Sequence, residues 1–451
     1  MAGLTATLAA FASNQSLVVP DDVAPVIRSG IIDVIGTMIA GRDEPVVQQV
    51  RAQLAERQSG AREATVLLGP DRTYSADAAL INGTAGHALD YDDVAIGGHP
   101  STVLVPAIMA EAERLGLGGA AVLRAYLVGY EVWAELNARD TDPLHLKGWH
   151  PTAMYGAVGA AAAVANLHGL SAERTGAALA LAGSMAGGLV ANFGTMTKPF
   201  HAGRAAASGI EAVRMVARGF TSAADAMEHH AGFLAAISPK SGADLTSPAD
   251  QLGVALRIRD MGLSIKRYPM CYSAHRTADA VLALTAQENL RPDDVAEVEV
   301  TLGTAQISML RNHAPVTGLE AKFSLEFAVA SALVARRVGL RELTDEFVNR
   351  PEVRAQYGKV KINTTDTRCP IEPVFAFTDT ITIRTTTGRE LHQEVRFPRG
   401  NAMLPLTLAE LREKFVDCTT GAPLDSGRLF DRLCGLESAI SMAGGPTKLA
   451  A

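Results

Sequence analysis

The chain has 451 residues, of which 48% are hydrophobic and 20% charged, with a net charge of −7. Those values exclude a disordered chain and leave room for two or three domains around a large core. A mildly acidic protein with no Lys/Arg run has no general attraction to nucleic acid, so an anionic ligand needs a focused basic pocket.

In chain order, MAGLTATLAAFASNQ is apolar but has no Lys or Arg ahead of its apolar run, so a first helix is expected rather than a signal peptide. PDDVAPVIRSGIIDVIGTMIA repeats Val23, Ile27, Ile31, Val34, Ile35 and Met38 at helical spacing behind two acids that suit the helix dipole. EPVVQQVRAQLAER predicts an amphipathic helix, and ATVLLG with PDRTYS an extended interruption. Residues 103–138 predict two helices split by GLGG. Two Ala-rich helices follow, PTAMYGAVGAAAAVANLHG and SAERTGAALALAGSMAGGLVANF, the second capped by Ser171. Such small side chains let backbones approach, so both are expected in the centre of a bundle, buried all round. The uncharged run Gly176–Thr197 is too rich in Ala, Gly, Ser and Asn to span a membrane, and no membrane contact is expected.

The texture changes after Tyr268. Ala296, Val298, Val300 and Leu302 alternate with polar residues, which predicts a half-buried strand. Lys359–Asn363 predicts a second strand, and FTDTITIRTTTGRELHQEV a hairpin turning at Thr386-Thr387-Gly388. AKFSLEFAVASALVARRV between them predicts a helix, and LTLAELREKF with SGRLFDRLCGLESAISM returns the chain to helices. The expected fold is mainly α: a helical domain from residues 1–265 and 399–451, with an inserted α+β lid at 266–398.

Chemistry concentrates in INGTAGHALDYDDVAIGGHPSTVLVP. His87, Asp90, Asp92, Asp93 and His99 fall there on a Gly- and Pro-containing loop between helix ends. The three acids could instead cap helices, but capping does not call for two histidines. Four basic clusters also sit at helix ends: His150 in GWHPTAMYG, Lys198, His201 and Arg204 in TKPFHAGRAA, Lys266, Arg267, His275 and Arg276 in IKRYPMCYSAHRTADA, and Lys322 in EAKFSLEF. Lys and Arg take carboxylates, and His moves protons near neutral pH. A metal-dependent hydrolase using the His/Asp loop as ligands is the competing class, and a non-catalytic helical scaffold another. HExxH, the EF-hand series, GxxxxGK[ST], GxGxxG after a strand and GxSxG are all absent, so no metal or cofactor is expected. The cysteines, Cys271, Cys369, Cys418 and Cys434, show no CxxC spacing and read as reduced thiols, which places the protein in the cytoplasm.

NGTAGHALDYDDV, GHPS, GWHPTA, TKPFHAGRAA and KRYPMCYSAHRTADA, in this order, resemble the successive signatures of the MmgE/PrpD family, from about residue 10 to 445. That family includes 2-methylcitrate dehydratases, cis-aconitate decarboxylases and iminodisuccinate epimerases. The resemblance implies a homodimer acting on a small polycarboxylate without a metal. It implies that Asp90, His99, His150, Lys198 and Lys266 line the pocket, with Arg204 and His275 in matching motifs. His99 is then the general base or acid, Asp90 orients its ring or stabilises its imidazolium, His150 donates a proton from the other face, and the cations hold substrate carboxylates. Val94 stands where decarboxylases of the family resemble one another in having Thr, and residues 307–313 lack the Tyr of that branch. The loop from Asp93 to His99 also lacks the Trp of the larger methylcitrate dehydratases. On these grounds a dehydratase is expected ahead of an epimerase or a decarboxylase.

Overall fold

The computed structural model describes residues 3–442 except 58–59, 68, 70–71, 141, 241 and 373. Residues 1–2 and 443–451, at the ends of the expected helical domain, and Leu68, Pro70 and Asp71 of the expected extended stretch lie outside the described residues. The protein is mainly α, and the chain divides into two compact units, residues 1–265 with 407–451, and residues 266–406.

Among the described residues, the regular elements of the first unit are helices apart from the short strand pair Ala64–Thr65 and Arg72–Thr73. Its centre is the Pro151–His168 helix, buried from Pro151 to Leu167, whose Ala and Gly residues leave room for neighbouring backbones. The Ser75–Ala88 and Thr197–Val216 helices cross even more closely. A Cβ on Gly83 would lie 2.9 Å from the Cα of Gly203, and one on Gly203 only 2.2 Å from the carbonyl oxygen of Leu80. That contact needs glycine on both helices, and it brings the His87 end of one towards the Lys198 end of the other. After the second unit the chain returns with the Leu408–Thr419 helix, where Phe415 packs beside Gly36 of the Ala24–Gly41 helix.

The second Ala-rich helix departs from expectation. It runs Ala172–Met185, capped as expected by Ser171, whose hydroxyl accepts from the Arg174 amide at 3.3 Å. It is buried on one face only and stops short of Phe193. Ala186 turns extended (ψ 138°), and the Gly188 carbonyl accepts from the His150 amide at 2.9 Å. The hydrogen bonds that would continue the helix are thus replaced by a link to another segment.

The second unit builds a four-stranded sheet in the order Val360–Thr365, Val295–Gly303, Asp379–Thr385, Glu390–Val395. The first two strands are parallel and the others antiparallel, with Val298 opposite both Val360 and Ile383. Val298, Val300, Leu302, Ile381 and Ile383 share a core with Ala278 and Val281 of the His275–Gln287 helix and Phe327 and Ala330 of the Leu325–Val334 helix. Ala296 is exposed, against the expected alternation. The register shifts between Val295 and Glu297, and this bulge hands the first inward position to Val295. The unit ends at Leu406 rather than 398 because Asn401 donates to the Tyr272 hydroxyl at 2.7 Å and to Glu372 at 3.0 Å.

Candidate active site

The loop between the Ser75–Ala88 and Ser101–Leu115 helices carries the site, and it is held from several sides. The Val94 amide donates to the Ser264 carbonyl at 2.8 Å, the Trp133 indole to the Ile96 carbonyl at 3.1 Å, and Lys414 to the Tyr91 carbonyl at 2.7 Å. Asp90 and Ile96 both have positive φ, 53° and 42°. Asp tolerates that region, whereas a β-branched Ile there is strained and persists only because its surroundings fix it.

The three acids part company. Asp93 does cap the next helix, accepting from the Ser101 amide at 3.3 Å with the Ser101 hydroxyl 2.5 Å from its other oxygen. Asp90 binds the Lys198 ammonium at 2.6 Å. Asp92 lies with both oxygens at 2.9 and 3.0 Å from His87 Nδ1, and one of them 3.2 Å from His99 Nδ1. His99 Nδ1 is also 2.8 Å from the Asp93 carbonyl oxygen, so it carries the proton and leaves Nε2 as the working atom. The expectation that Asp90 orients His99 is thereby corrected: Asp92 does so, because Asp90 is engaged by Lys198.

The His99 and His87 rings are 4.4 Å apart, His87 and His150 5.9 Å, and His150 and His201 5.3 Å. His150 is the residue before Pro151 at the start of the central helix. Phe193 sets its ring edge-on to His150 at 4.8 Å and lies 5.3 Å from the Lys198 ammonium. Asp90, His99, His150 and Lys198 therefore come together. Asp92, His201 and Phe193 join them without having been singled out for roles. Spacing alone could not choose between Asp90 and Asp92, and Phe193 carried no signal beyond an aromatic in a Gly-rich run.

Burial pushes His87 down to about 4, even with Asp92 beside it. Burial likewise holds His150 well below the usual histidine range, helped by His87 and Lys198, and lowers His201 with Lys198. Burial alone would raise Asp92, but His87 and His99 outweigh it and keep that carboxyl well below its ordinary range. Asp93 goes the other way, raised well above that range by burial and by the charges of Asp33 and Asp92. An ionised Asp92 thus stands next to the neutral His87 ring and an Asp93 that keeps its proton more readily than an ordinary carboxyl.

The remaining expected residues are placed differently. Arg204 is partly exposed and faces Glu211 at 3.5 Å, so its ion pair lies outside the cluster. Lys266 and Lys322 are buried residues of the second unit, Lys266 being its first residue. His275 is also buried there, its Nε2 3.2 Å from the Met270 carbonyl and its ring 5.1 Å from those of Tyr268 and Tyr272, which reads as packing.

His87, Asp90, Asp92 and His99 offer ligand types suited to a metal, with one donor atom each lying within 4.8 Å of the others. Opposite donors around a metal with bonds of about 2.1 Å stand only about 4.2 Å apart. Lys198 already neutralises Asp90, and Asp92 already engages two imidazoles. As built, the group is a set of ion pairs rather than a preformed metal cage.

Residues 6–246 match the MmgE/PrpD N-terminal domain, and residues 268–426 match the MmgE/PrpD C-terminal domain. The chain is similar to cis-aconitate decarboxylase of Homo sapiens, 29% identical over 397 residues covering 85% of this chain and 81% of that protein. Cis-aconitate decarboxylase of Mus musculus is also 29% identical, with 85% and 80% covered. Cis-aconitate decarboxylase of Aspergillus terreus (strain NIH 2624 / FGSC A1156) is 26% identical, with 78% and 76% covered. The N-terminal match alone spans more than half of the 451 residues and contains the whole His/Asp/Lys cluster, so the chain belongs to the MmgE/PrpD family.

Proposed function

We propose that this protein is a lyase acting on a small polycarboxylate of the cis-aconitate type, and that it works as a decarboxylase. The observation that carries the reading is the buried Lys198–Asp90 pair beside the His99 and His150 rings. A substrate carboxylate can take up the Lys198 ammonium. The bond to a second carboxyl carbon then breaks and releases carbon dioxide, and its electron pair moves into an enolate on the retained carboxylate. Lys198 stabilises that charge most as it develops. His99 Nε2, as imidazolium balanced by Asp92, delivers the proton that completes the product. The names of the relatives support this choice.

Dehydration of a citrate-like substrate is the second reading. It is favoured by Val94, which brings no hydroxyl to the loop, and by the lack of Tyr in residues 307–313. The active form is a homodimer, which light scattering tests by mass.

The deciding experiment offers cis-aconitate, citrate, 2-methylcitrate and iminodisuccinate in deuterated water and follows products by NMR. Decarboxylation of cis-aconitate is the expected outcome. Loss of water from a hydroxy acid instead would establish the second reading, and deuterium uptake without net loss would point to epimerisation. Activity should survive EDTA, and a stoichiometric metal whose removal abolishes turnover would overturn both lyase readings.

A further inference from the structure

Two imidazoles meet nitrogen to nitrogen in this site. His150 Nδ1 and His201 Nδ1 are 3.1 Å apart, with both rings buried. Two bare nitrogens at that distance repel, and two N–H groups clash, so one hydrogen lies between them. In neutral rings that single hydrogen fixes opposite tautomers. The ring that donates from Nδ1 has a bare Nε2, and the ring that accepts at Nδ1 carries its hydrogen on Nε2.

The contact is built into the backbone. The Gly188 carbonyl accepts from the His150 amide at 2.9 Å. A Cβ at position 188 would lie 3.1 Å from His201 Cγ and Nδ1 and 2.7 Å from the Ala153 Cβ. The glycine segment therefore presses on the His201 ring while holding the residue that bears its partner. Phe193 closes the edge of His150 at 4.8 Å. Neither ring has room to turn away.

We propose that His201 is a positioning residue for His150, joined to it in a two-ring proton relay. His201 Nδ1–H points at His150 Nδ1, which places the His150 hydrogen on Nε2. When His99 has given its proton to the substrate carbon and draws another from His150 Nε2–H, His150 Nδ1 takes the His201 Nδ1 proton and His201 Nε2 takes one from water, whose hydroxide combines with the released carbon dioxide as bicarbonate. One proton enters, one leaves, and both rings finish neutral with their tautomers exchanged. A second exchange after product release resets the pair. This explains how a buried ring that resists a positive charge can still supply protons. It rests on the lyase reading for the step that consumes the proton, but the pairing itself does not need a substrate.

The test uses full-length protein with 15N-labelled histidine and long-range 1H–15N correlation. The expected result is opposite neutral tautomers for His150 and His201 between about pH 6 and 8. His201→Asn, whose amide can stand where Nδ1 stands, should keep the His150 tautomer, and His201→Leu should lose it. Both variants should lower kcat by roughly 10²-fold, the lower end for losing a proton-transfer group, with KM little changed. His201→Asn stays slow because it positions the ring without passing a proton. Matching tautomers, an imidazolium pattern in either ring, or wild-type turnover in His201→Leu would overturn the proposal. A chain that turns over none of the carboxylates refutes the lyase reading, while the NMR result still decides the pairing.

Discussion

Each unit of this protein buries a cluster of charge, and the two are built on opposite principles. In the second unit the Arg276 guanidinium meets the Ala376 carbonyl at 2.8 Å, Asp379 at 3.2 Å and Glu372 at 3.4 Å. Gln306 also donates to Asp379 at 2.6 Å. A cation that never loses its proton is matched to acceptors, and the result ties a loop to a helix. In the first unit the rings of His87, His99, His150 and His201 lie one against the next, and an ionised Asp92 touches the first two from a loop whose Asp90 and Ile96 are left-handed. Imidazoles change charge near neutral pH, and their hydrogens here can be redistributed without moving the backbone. Buried charge by itself holds a fold together. Buried groups that can exchange protons, on a loop whose strain is fixed by its neighbours, mark a place where chemistry is done.

The sharpest way to break this contrast is to remove the ring that carries the proton. His99→Gln keeps bulk and a hydrogen bond but cannot shuttle, and kcat should fall by roughly 10²–10⁴-fold. Steady-state rates on the accepted carboxylate measure this, and near-normal turnover would take His99 out of the mechanism. The matching change in the second unit is Arg276→Met, which leaves Asp379 and Glu372 buried without their cation. It should cost about 3–5 kcal/mol of stability in urea titrations at neutral pH. Burial already raises Asp379 to about 6 against the pull of Arg276, so protonation at lower pH should return part of that loss. A variant as stable as the parent would show that the Arg276 cluster is not structural.

Much of the contrast was legible in the sequence, for identifiable reasons. The change in texture near Tyr268 follows from period-two alternation in Val298, Val300 and Leu302, which only a strand satisfies. The bulge that exposes Ala296 leaves no such trace, because Ala fits either face. The central position of Pro151–His168 follows from its small residues, but the same composition in Ala172–Met185 misleads. Small side chains permit close packing without requiring it, and a neighbour is present on one face only. The His/Asp loop was visible as a density of proton-handling residues, yet the choice of partners was not. Lys198 reaches Asp90 from a residue 108 positions away, and that long-range contact is what frees Asp92 for the histidines.

A third, smaller effect concerns pH. His87 has its pKa pushed down to about 4 by burial, while in the unfolded chain it titrates near 6.5. Below 6.5 the unfolded state therefore binds the extra proton. The stability this ring supports is intact above 6.5 and is lost as pH falls toward 4, by about 1.4 kcal/mol per pH unit. His87→Asn, which keeps a donor near Asp92 but cannot ionise, should remove that slope. Stability curves for parent and variant that run parallel from pH 7 to about 4.5 would contradict the buried, neutral ring.

The smallest expected effect is at Asp93, and it separates that residue from Asp92 one position away. Burial and the neighbouring Asp33 and Asp92 raise Asp93 well above its ordinary range, so it keeps its proton to a higher pH than an exposed carboxyl does. One oxygen accepts from the Ser101 amide at 3.3 Å, and the other lies 2.5 Å from the Ser101 hydroxyl, itself 2.6 Å from the Tyr126 hydroxyl. An amide reproduces this pattern: its oxygen accepts from the Ser101 amide, and its N–H donates to the hydroxyl. The contact with His99 Nδ1 uses the backbone carbonyl of Asp93 and is untouched by the side chain. Asp93→Asn should therefore stay within about 1 kcal/mol of the parent in stability at acid pH, where the acid is protonated folded and unfolded alike, the size of one altered hydrogen bond, with little change in turnover. Because a raised acid loses its stabilising contribution as pH rises from its unfolded-state pKa of about 3.9, the variant should gain on the parent progressively from there upward. Asp92→Asn removes the charge that balances His99 and should lower kcat by at least roughly 10²-fold. If the two substitutions prove equally harmful, the distinction between Asp92 and Asp93 is wrong.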